Sequence, residues 1–331
     1  MQPSRVLVTG GLGYLGSVLC PLLAGRGIET VVLDNEFITS DRPRLPGVTH
    51  IAGDVCAPRD WESALRGVDA VVHLAAIVGD PACEVGGDLA RETNYLGTIR
   101  LTEACRRAGV RSLVFASTCS TYGAAGNEKV GVDSPVEPRS LYAETKVFAE
   151  HFLLSAAGSD PRVCILRFAT LHGLSPRMRF DLAINTMTAR AAADGKFVVY
   201  GGEQWRPFLH VRDAAAAILS VLDHHPAPAL VYNCGSSAEN YRIAQIAELI
   251  RAEVPAVSIE LRDGERDPRN YRVDFDPIAR DLGFRPGRRV VDTIREIATA
   301  VRAGRFLDHA DAAYSNYLLM VERAPQNSVA R

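Results

Sequence analysis

Short runs of aliphatic and β-branched residues alternate with helical patterns along the first half of the chain. The strand candidates are Arg5–Thr9, Glu29–Asp34, Val48–Asp54, Ala70–Leu74, Ser112–Ser117 and Val163–Phe168. Several of these runs are apolar throughout, as expected for parallel strands that are buried on both faces. Helical patterns lie between them, for example over Thr98–Ala108 and Tyr142–Ala157. The alternation predicts right-handed βαβ crossovers and an α/β fold with a Rossmann-type, doubly wound parallel sheet.

The alternation becomes less regular after Phe168, where glycines and prolines divide the chain into shorter pieces. Helical patterns persist over Asp213–His224 and Ile243–Val254. We therefore predict a smaller C-terminal α/β part that supplies the substrate side of a cleft. The predicted division is a cofactor-binding part of residues 1–173 and 205–228, a substrate part of residues 174–204 and 229–309, and a poorly specified tail of residues 310–331.

The composition narrows the class of protein. Of the 331 residues, 47% are hydrophobic, and the 37 Lys and Arg nearly balance the 39 Asp and Glu. The two signs are interspersed, so no nucleic-acid partner is expected. No apolar run reaches the ~18 residues of a membrane-spanning helix, and no signal peptide precedes the first strand, so we expect a cytoplasmic protein without a membrane partner. The seven dispersed cysteines favour reduced thiols and no metal site.

A glycine-rich turn follows the first predicted strand and opens a helix. Gly10, Gly13 and Gly16 have the spacing of a dinucleotide-binding loop. Glycines at this spacing let the backbone turn tightly and approach a pyrophosphate at the N-terminus of the helix. Asp34 ends the next strand, where a carboxylate accepts a hydrogen bond from the ribose 2′-hydroxyl and repels a 2′-phosphate. These residues predict a site for NAD rather than NADP.

Further cofactor contacts are expected from the same loop and from the end of the third strand. Tyr14 and Leu15 lie inside the glycine loop. Asp54 accepts a hydrogen bond from the adenine amino group in one interpretation, with Val55 beside it. In the other interpretation Asp54 only closes a turn or caps a helix.

Tyr142 and Lys146 lie one turn apart on one face of a predicted helix. A tyrosine with an ordinary pKa of about 10 is a poor base at neutral pH. A neighbouring ammonium and the positive charge of nicotinamide favour its phenolate, and the lysine can also hold the nicotinamide ribose. Ser117 and Thr118 stand at the C-terminal end of an apolar strand, where open α/β sheets bind ligands. Tyr142 and Lys146 are therefore the predicted catalytic core.

Several motifs occur together along the chain in a fixed order. They are Thr9-Gly10-Gly11-Leu12-Gly13-Tyr14-Leu15-Gly16, His73-Leu74-Ala75-Ala76, Asn94-Tyr95-Leu96-Gly97-Thr98, Ser117-Thr118-Cys119-Ser120-Thr121-Tyr122-Gly123, Tyr142-x-x-x-Lys146, Leu166-Arg167-Phe168 and Arg206-Pro207-Phe208-Leu209-His210-Val211-Arg212-Asp213. With these motifs the chain resembles the extended short-chain dehydrogenase/reductase family. The resemblance is to its NAD-dependent nucleotide-sugar epimerase/dehydratase branch and covers about residues 5–300.

The resemblance implies roles for residues that the spacing alone does not assign. Thr118 matches the catalytic Ser/Thr of the family, and Arg206 matches an arginine that grips the substrate diphosphate. The implied cofactor contacts include Leu74, Ala75, Ala76 and Phe168. Members of the family tend to form homodimers through two helices per subunit, which here are the helix after Asn94 and the helix that carries Tyr142.

Departures from the family pattern narrow the expected reaction. The dehydratases of the branch carry an acidic pair directly after the catalytic Thr, whereas this chain has Cys119 and Ser120, so dehydration is disfavoured. The decarboxylases use a glutamate at the second position, so Ser120 argues against them too. Thr170 stands where the epimerases often have Asn. Gapless alignment places Gly264 at the late diphosphate arginine, with Arg262, Arg266 and Arg269 nearby.

The predicted substrate is a nucleotide-diphosphate sugar. The expected substrate contacts are Thr118, Cys119, Ser120, Thr170, Arg179, Arg206 and Arg269. The leading hypothesis is a 4-epimerase that keeps its NAD and works through a transient 4-keto sugar. The alternatives are an NAD(P)H-dependent reductase of a nucleotide 4-keto sugar and, less favoured, a nucleotide-sensing protein without catalysis.

Overall fold

A parallel sheet of seven strands organises the N-terminal part of the protein in the computed structural model, which describes residues 2–37, 45–156, 158, 160–224, 226–227, 230–262, 267, 269–306 and 308–323. The described residues form strands in this sheet and in smaller sheets. In chain order they are β1 (Arg5–Thr9), β2 (Glu29–Asp34), β3 (Val48–Ala52), β4 (Ala70–His73), β5 (Ser112–Thr118), β6 (Lys129–Val130), β7 (Arg162–Phe168), β8 (Thr170–His172), β9 (Lys196–Tyr200), β10 (Trp205–His210), β11 (Val231–Cys234), β12 (Asn240–Arg242), β13 (Ser258–Arg262) and β14 (Arg272–Val273). The main sheet has the order β3-β2-β1-β4-β5-β7-β11. Its order reverses between β1 and β4, and a crevice for ligands forms at such a switch point.

Helices cover both faces of this sheet and build the second part. They are α1 (Gly16–Gly25), α2 (Pro58–Trp61), α3 (Asp80–Val85), α4 (Gly87–Arg91), α5 (Gly97–Ala108), α6 (Leu141–Ser155), α7 (Ala183–Ala193), α8 (Val211–Asp223), α9 (Ile243–Glu253), α10 (Asp276–Leu282), α11 (Val290–Arg302) and α12 (Asn316–Arg323). Single helical turns occur at Glu62–Leu65, Cys119–Tyr122 and Ala312–Tyr314, and a π-helical turn occurs at Glu92–Leu96. None of the helices in the described part of the chain is long and apolar enough to cross a membrane.

The side chains of each strand point alternately to the two faces of the main sheet, and both faces are buried. Val6 and Val8 of β1 face the core cluster that includes α1 and α8. Leu7, between them, faces the opposite cluster, which α5 and α6 complete. Because neighbouring side chains of a strand point to opposite faces, an apolar run throughout is what a sheet covered on two sides requires. The predicted α/β fold with a doubly wound parallel sheet is confirmed.

A second core lies under the substrate side of the molecule. It is formed by buried apolar residues of α7, α9 and α11, together with β9 and β10. Smaller sheets with the orders β12-β10-β8 and β13-β9 border this core.

Two predicted boundaries need correction. The predicted division places Val231–Cys234 in the substrate part. In the structure these residues form β11, which pairs in parallel with β7 and completes the main sheet. The strand has only four residues and follows a proline-containing stretch, so its pattern was too short to identify. Residues 310–323 are also better ordered than a poorly specified tail, because Ala312–Tyr314 and α12 are helical and Met320 is buried. Residues 324–331 lie outside the described part.

Candidate active site

A cleft of about 290 Å³ opens at the C-terminal ends of the central strands. Its walls come from the glycine loop after β1, the ends of β2, β4, β5 and β7, the first turns of α6, and the segment between β8 and α7. The parallel strands direct these loops to one edge of the sheet, so residues far apart in sequence meet there.

The glycine loop leaves room for a dinucleotide because side chains are excluded from it. Gly10 has φ +69°, and a Cβ there would lie 2.6 Å from the backbone N of Ala75. A Cβ at Gly16 would lie 2.5 Å from the Cα of Gly11. Only glycine fits at these positions, and α1 begins at Gly16 with its N-terminus at the cleft. The loop fits a pyrophosphate, as the sequence predicts.

The other loop residues also line the cleft. Gly13, Tyr14 and Leu15 contribute to its wall. The Tyr14 hydroxyl donates to the Gly173 carbonyl at 2.5 Å, which ties the glycine loop to the segment after β8. This bond joins the cofactor side of the cleft to its substrate side.

Asp34 lies at the end of β2 and faces the cleft. Its carboxylate accepts from the backbone N–H of Leu12 at 3.0 Å and from that of Glu36 at 2.8 Å. Burial raises the pKa of Asp34, and these two hydrogen bonds counteract the rise. A carboxylate oxygen accepts more than one hydrogen bond, so Asp34 can still receive a ribose hydroxyl.

Asp54 and Val55 have different positions. Val55 lines the cleft, whereas the described cleft wall does not include Asp54. The Asp54 carboxylate accepts from the Cys56 backbone N–H and from the Asn35 side chain, each at 2.8 Å. These bonds match the interpretation of Asp54 as a turn residue and leave its contact with adenine without support.

The remaining expected cofactor contacts follow two of the central strands. Leu74, Ala75 and Ala76 follow β4 and line the cleft, and Phe168 at the end of β7 does so as well. Their apolar side chains suit the flat face of an aromatic ring.

Thr118, Tyr142 and Lys146 converge on the cleft from two elements. Thr118 ends β5, and its hydroxyl lowers the pKa of the Tyr142 phenol. Ser140 caps the N-terminus of α6 by accepting from the Ala143 backbone N–H at 3.3 Å, which fixes the start of the helix that carries the other two. A threonine, a tyrosine and a lysine in this arrangement can transfer a proton to or from one hydroxyl or carbonyl group of a bound substrate.

The surroundings of Tyr142 act on its pKa in opposite directions. Burial raises the pKa most, and the nearby Cys83 and Asp80 raise it further. The positive charge of Arg179 and the hydrogen bond with Thr118 lower it. Arg179 therefore helps to lower the pKa of the candidate base Tyr142, a role that the sequence did not predict for it.

Lys146 is almost completely buried and donates to the Ala116 carbonyl at 2.9 Å. Its Nζ lies 4.7 Å from the centre of the Phe115 ring. Burial lowers its pKa to about 8, against the opposing influence of Cys83 and Glu150.

A buried ion pair supports the strand ends behind the site. Arg167 of β7 pairs with Glu150 of α6 at 2.6 Å, and Ser117 donates to the same carboxylate. Arg167 also donates to the Tyr122 hydroxyl at 3.0 Å. This network fixes α6 against β5 and β7, and thereby Lys146 and Tyr142 against Thr118.

The expected substrate contacts divide into two groups. Thr118, Ser120, Thr170, Arg179 and Arg269 line the cleft. Cys119 does not, because its thiol points to the Arg167 carbonyl at 3.1 Å. Burial raises the pKa of this thiol.

Arg206 is also behind the described cleft wall rather than on it. It pairs with Asp267 at 2.7 Å and stacks 5.4 Å from the centre of the Tyr271 ring. Asp267 also pairs with Arg269, at 2.6 Å. The geometry thus gives Arg206 a supporting position and Arg269 the exposed one. Gly264 and Arg266 lie outside the described residues.

Several cleft residues have no counterpart in the sequence prediction. They are Asp80, Tyr271 and Asn316. Each comes from a loop or helix end without a recognisable motif, so no local signal identified it. No cluster of three metal-ligating side chains occurs among the residues that the structure describes.

Comparison with known proteins places this geometry in a family. The family model "NAD dependent epimerase/dehydratase family" matches residues 6–235. The chain is 30% identical over 318 residues to a UDP-glucose 4-epimerase from Azospirillum brasilense, covering 88% of this chain and 89% of that protein.

Two solved structures are also similar. The NAD-dependent NDP-hexosamine 5,6-dehydratase TunA has a TM-score of 0.81 and 28% identity, with 92% of this chain and 99% of that chain covered. MoeE5, solved with UDP-glucuronic acid and NAD, has a TM-score of 0.80 and 27% identity, with 91% and 99% covered. Similar proteins thus act on or bind nucleotide sugars but perform different reactions. The chain belongs to the NAD-dependent epimerase/dehydratase family, which confirms the predicted branch and NAD as its cofactor.

Proposed function

We propose that this protein is a nucleotide-sugar 4-epimerase that works through a transient 4-keto sugar. One observation carries the proposal: the Thr118–Tyr142 pair faces the cofactor cleft, and no acidic side chain stands at the two positions after Thr118. Such a site can remove and return one hydroxyl proton but lacks the acid/base pair that elimination uses. The UDP-glucose 4-epimerase among its relatives supports the same reaction.

Each residue of the cluster has a distinct part in this proposal. Thr118 orients the reacting hydroxyl, and Tyr142 accepts its proton and later returns it. Lys146 holds the nicotinamide ribose and keeps the carbonyl of Ala116 in place. NAD, which the glycine loop, Asp34 and Lys146 would hold, would supply the acceptor and donor of hydride for the sugar carbon. Arg179 stabilises the phenolate form of Tyr142, which is present before the tyrosine takes the proton from the sugar hydroxyl and after it returns that proton.

The diphosphate of the substrate needs cationic groups on the other side of the cleft. We assign this role to Arg269, which lines the cleft. Arg206 acts as a positioning residue, because it shares Asp267 with Arg269 and stacks on Tyr271. A planar guanidinium pairs with two phosphate oxygens at once, which suits this function.

Elimination and decarboxylation are disfavoured by the surroundings of the cluster. The Cys119 thiol bonds the Arg167 carbonyl, and the Ser120 hydroxyl lies 3.3 Å from that of Tyr271. The carboxylate of Asp80 does line the cleft, but it pairs with Arg269 at 2.5 Å and accepts from Ser140 at 2.7 Å. Both oxygens of this carboxylate are therefore already occupied by groups of the protein.

The reaction can be tested without added cofactor. Purified protein is incubated with UDP-, dTDP-, GDP- and CDP-linked hexoses carrying deuterium at C4, and the products are analysed by NMR and mass spectrometry. We expect C4 epimers of one donor class, with deuterium retained at C4 and no net change in NADH absorbance. Heat-released NAD from the same preparation should amount to a substantial fraction of the protein.

Other outcomes would replace the proposal. Stoichiometric consumption of NAD(P)H with a 4-keto sugar, without epimerisation in the absence of added cofactor, would identify a reductase. An unsaturated sugar or released CO₂ would identify a dehydratase or a decarboxylase. Binding without turnover of any donor would favour a nucleotide-sensing role.

A further inference from the structure

The C-terminal segment that includes Phe306 and residues 308–323 crosses from the substrate side of the cleft to its cofactor side. Phe306 and Tyr314 pack edge-on against Phe180, at 5.1 and 5.4 Å between ring centres. The Phe180 backbone N–H also donates to the Tyr314 carbonyl at 2.8 Å. These contacts attach the start of the segment to the loop that carries Arg179.

The far end of the segment is attached to the cofactor side. Met320 of α12 is fully buried in a small core with Ile77, Ala82 and Cys83. Arg323, at the end of the helix, donates to the carbonyl of Phe37 at 2.6 Å. Phe37 lines the cleft three residues after Asp34. The segment is therefore fixed at both sides of the cofactor region, and the family match ends at residue 235, far before it.

Asn316, the first residue of α12, faces the cleft between these two attachments. Its backbone N–H donates to Asp181 at 2.9 Å, and its Nδ2 donates to the Val78 carbonyl at 3.1 Å. Val78 lies in the segment that continues from Leu74–Ala76. Asp181 is the partner of Arg179, at 2.8 Å. Asn316 thus connects the segment after β4 to the loop that carries Arg179 at the wall of the cleft.

The Oδ1 atom of Asn316 is buried and has no hydrogen-bond partner among the residues that the structure describes. The whole residue is only 6% exposed. The Val78 carbonyl accepts but cannot donate, so it orients the amide with Nδ2 toward itself and Oδ1 away. A buried acceptor without a donor is unfavourable unless a ligand or water supplies one.

We propose that residues 312–323 form a strap that retains NAD, and that Asn316 Oδ1 accepts a hydrogen bond from a donor group of the bound dinucleotide. Phosphate oxygens only accept, so the partner of Oδ1 has to be one of the cofactor's hydroxyl, amino or amide groups. The two attachments of the strap then oppose the opening of the cleft through which the cofactor leaves.

The test uses Asn316→Ala, with Tyr317→Ala as the matched control. Tyr317 is the next residue on α12 and is 41% exposed. NAD affinity is measured by calorimetry on NAD-free protein, and the rate of NAD release by stopped-flow fluorescence. The loss of one neutral hydrogen bond weakens binding about threefold to tenfold, which we expect for Asn316→Ala and not for Tyr317→Ala.

Asn316→Ala also removes the bond to Val78 and can lower the melting temperature of the free protein. The stabilisation that a fixed concentration of NAD adds to each variant separates the two effects, because it depends on the affinity for NAD and not on the stability of the free protein; it is measured as the increase in melting temperature. A smaller increase than in the wild type supports the proposal. An unchanged increase, with an unchanged rate of release, overturns the contact between Asn316 and the cofactor.

Arg323→Ala tests the strap independently of Asn316. It removes the attachment to the carbonyls of Glu36 and Phe37 on the protein surface. We expect faster NAD release with a nearly unchanged melting temperature of the NAD-free protein. Release at the wild-type rate would overturn the strap. None of these measurements needs a sugar substrate, so they stand apart from the test of the epimerase reaction.

Discussion

Burial shifts the pKa values of individual side chains of the cleft from those they have in water. It favours the neutral phenol of Tyr142, against the opposing influence of Arg179 and Thr118. Burial also brings the pKa of Lys146 to about 8, so its ammonium is the main form at neutral pH and is lost above it. Lys146 is therefore close enough to a change of protonation for a bound ligand to alter it, whereas the phenol of Tyr142 is further from ionisation than a free tyrosine.

Replacing Tyr142 with Phe tests the assigned base. The ring keeps its packing against the small core that contains Met320, so folding and NAD binding should be largely retained. Turnover should fall about 10²–10⁴-fold, because the group that transfers the proton is absent. Steady-state kinetics with the identified donor, together with NAD titration, measure both quantities. Tyr200→Phe, on an exposed side chain, is the control. Turnover near the wild-type value in Tyr142→Phe would show that another group is the base.

The main elements were predictable because their signals are local. Each apolar strand of the first half, the glycine turn and the start of α6 show their pattern within a few residues. β11 and α12 were not predictable in the same way. The strand has four residues, and the helix is defined by Met320 packing on the distant α3. The position of Arg206 behind Tyr271 also depends on a contact between distant segments.

The ends of β1 and β4 are joined to α5 through one histidine. His73 is buried, and its ring nitrogens hydrogen-bond Thr9 at 2.7 Å and Thr98 at 3.0 Å. Burial and the charge of Lys146 lower its pKa to about 3. The ring is therefore neutral in the folded protein at a pH where it takes up a proton in the unfolded chain.

We predict that this histidine makes the protein sensitive to acid. A folded-state pKa below the unfolded value of 6.5 means that its contribution is complete above pH 6.5 and is lost as the pH falls toward 3. Over that window the free energy of unfolding should fall by about 1.4 kcal/mol per pH unit from this group. Urea unfolding at several pH values measures the slope.

His73→Gln should reduce that slope while lowering stability at pH 7. His172, whose pKa is also lowered by burial, accounts for part of the remaining slope. His224→Gln is the matched control, because this histidine is exposed in the folded state as well as in the unfolded chain. An unchanged slope in His73→Gln would show that His73 does not titrate on unfolding.

On the scale of the whole molecule, one cleft lies between a sheet that binds the cofactor and a second core that carries the substrate loops. The bond from Tyr14 to Gly173, the stacking of Phe180 with Tyr314 and α12 all connect the two sides. The helices α5 and α6 cover one face of the main sheet and lie outside these connections. Their outer surface, with the turn before α5, presents apolar side chains to solvent.

These side chains form a patch of Phe148, Tyr95 and Leu96. Phe148 is 54% exposed on α6, and its ring lies 5.8 Å from that of Tyr95. Leu96 is 37% exposed beside them. Exposed apolar groups that are contiguous commonly mark an interface between proteins. The resemblance to the extended short-chain family implies a homodimer through the helix after Asn94 and the helix of Tyr142, and we predict that α5 and α6 form its interface.

Sedimentation velocity tests this arrangement. The wild type should sediment as a particle of twice 35.8 kDa, and Phe148→Glu should shift it to the single-chain mass, because a carboxylate buried in an apolar interface is strongly unfavourable. Leu261→Glu is the control, since Leu261 is 66% exposed on β13, away from the patch. Since α6 also carries Tyr142 and Lys146, the monomeric variant should in addition be less active than the wild type. A dimer that persists in Phe148→Glu would place the interface elsewhere, and a monomeric wild type would remove the dimer altogether.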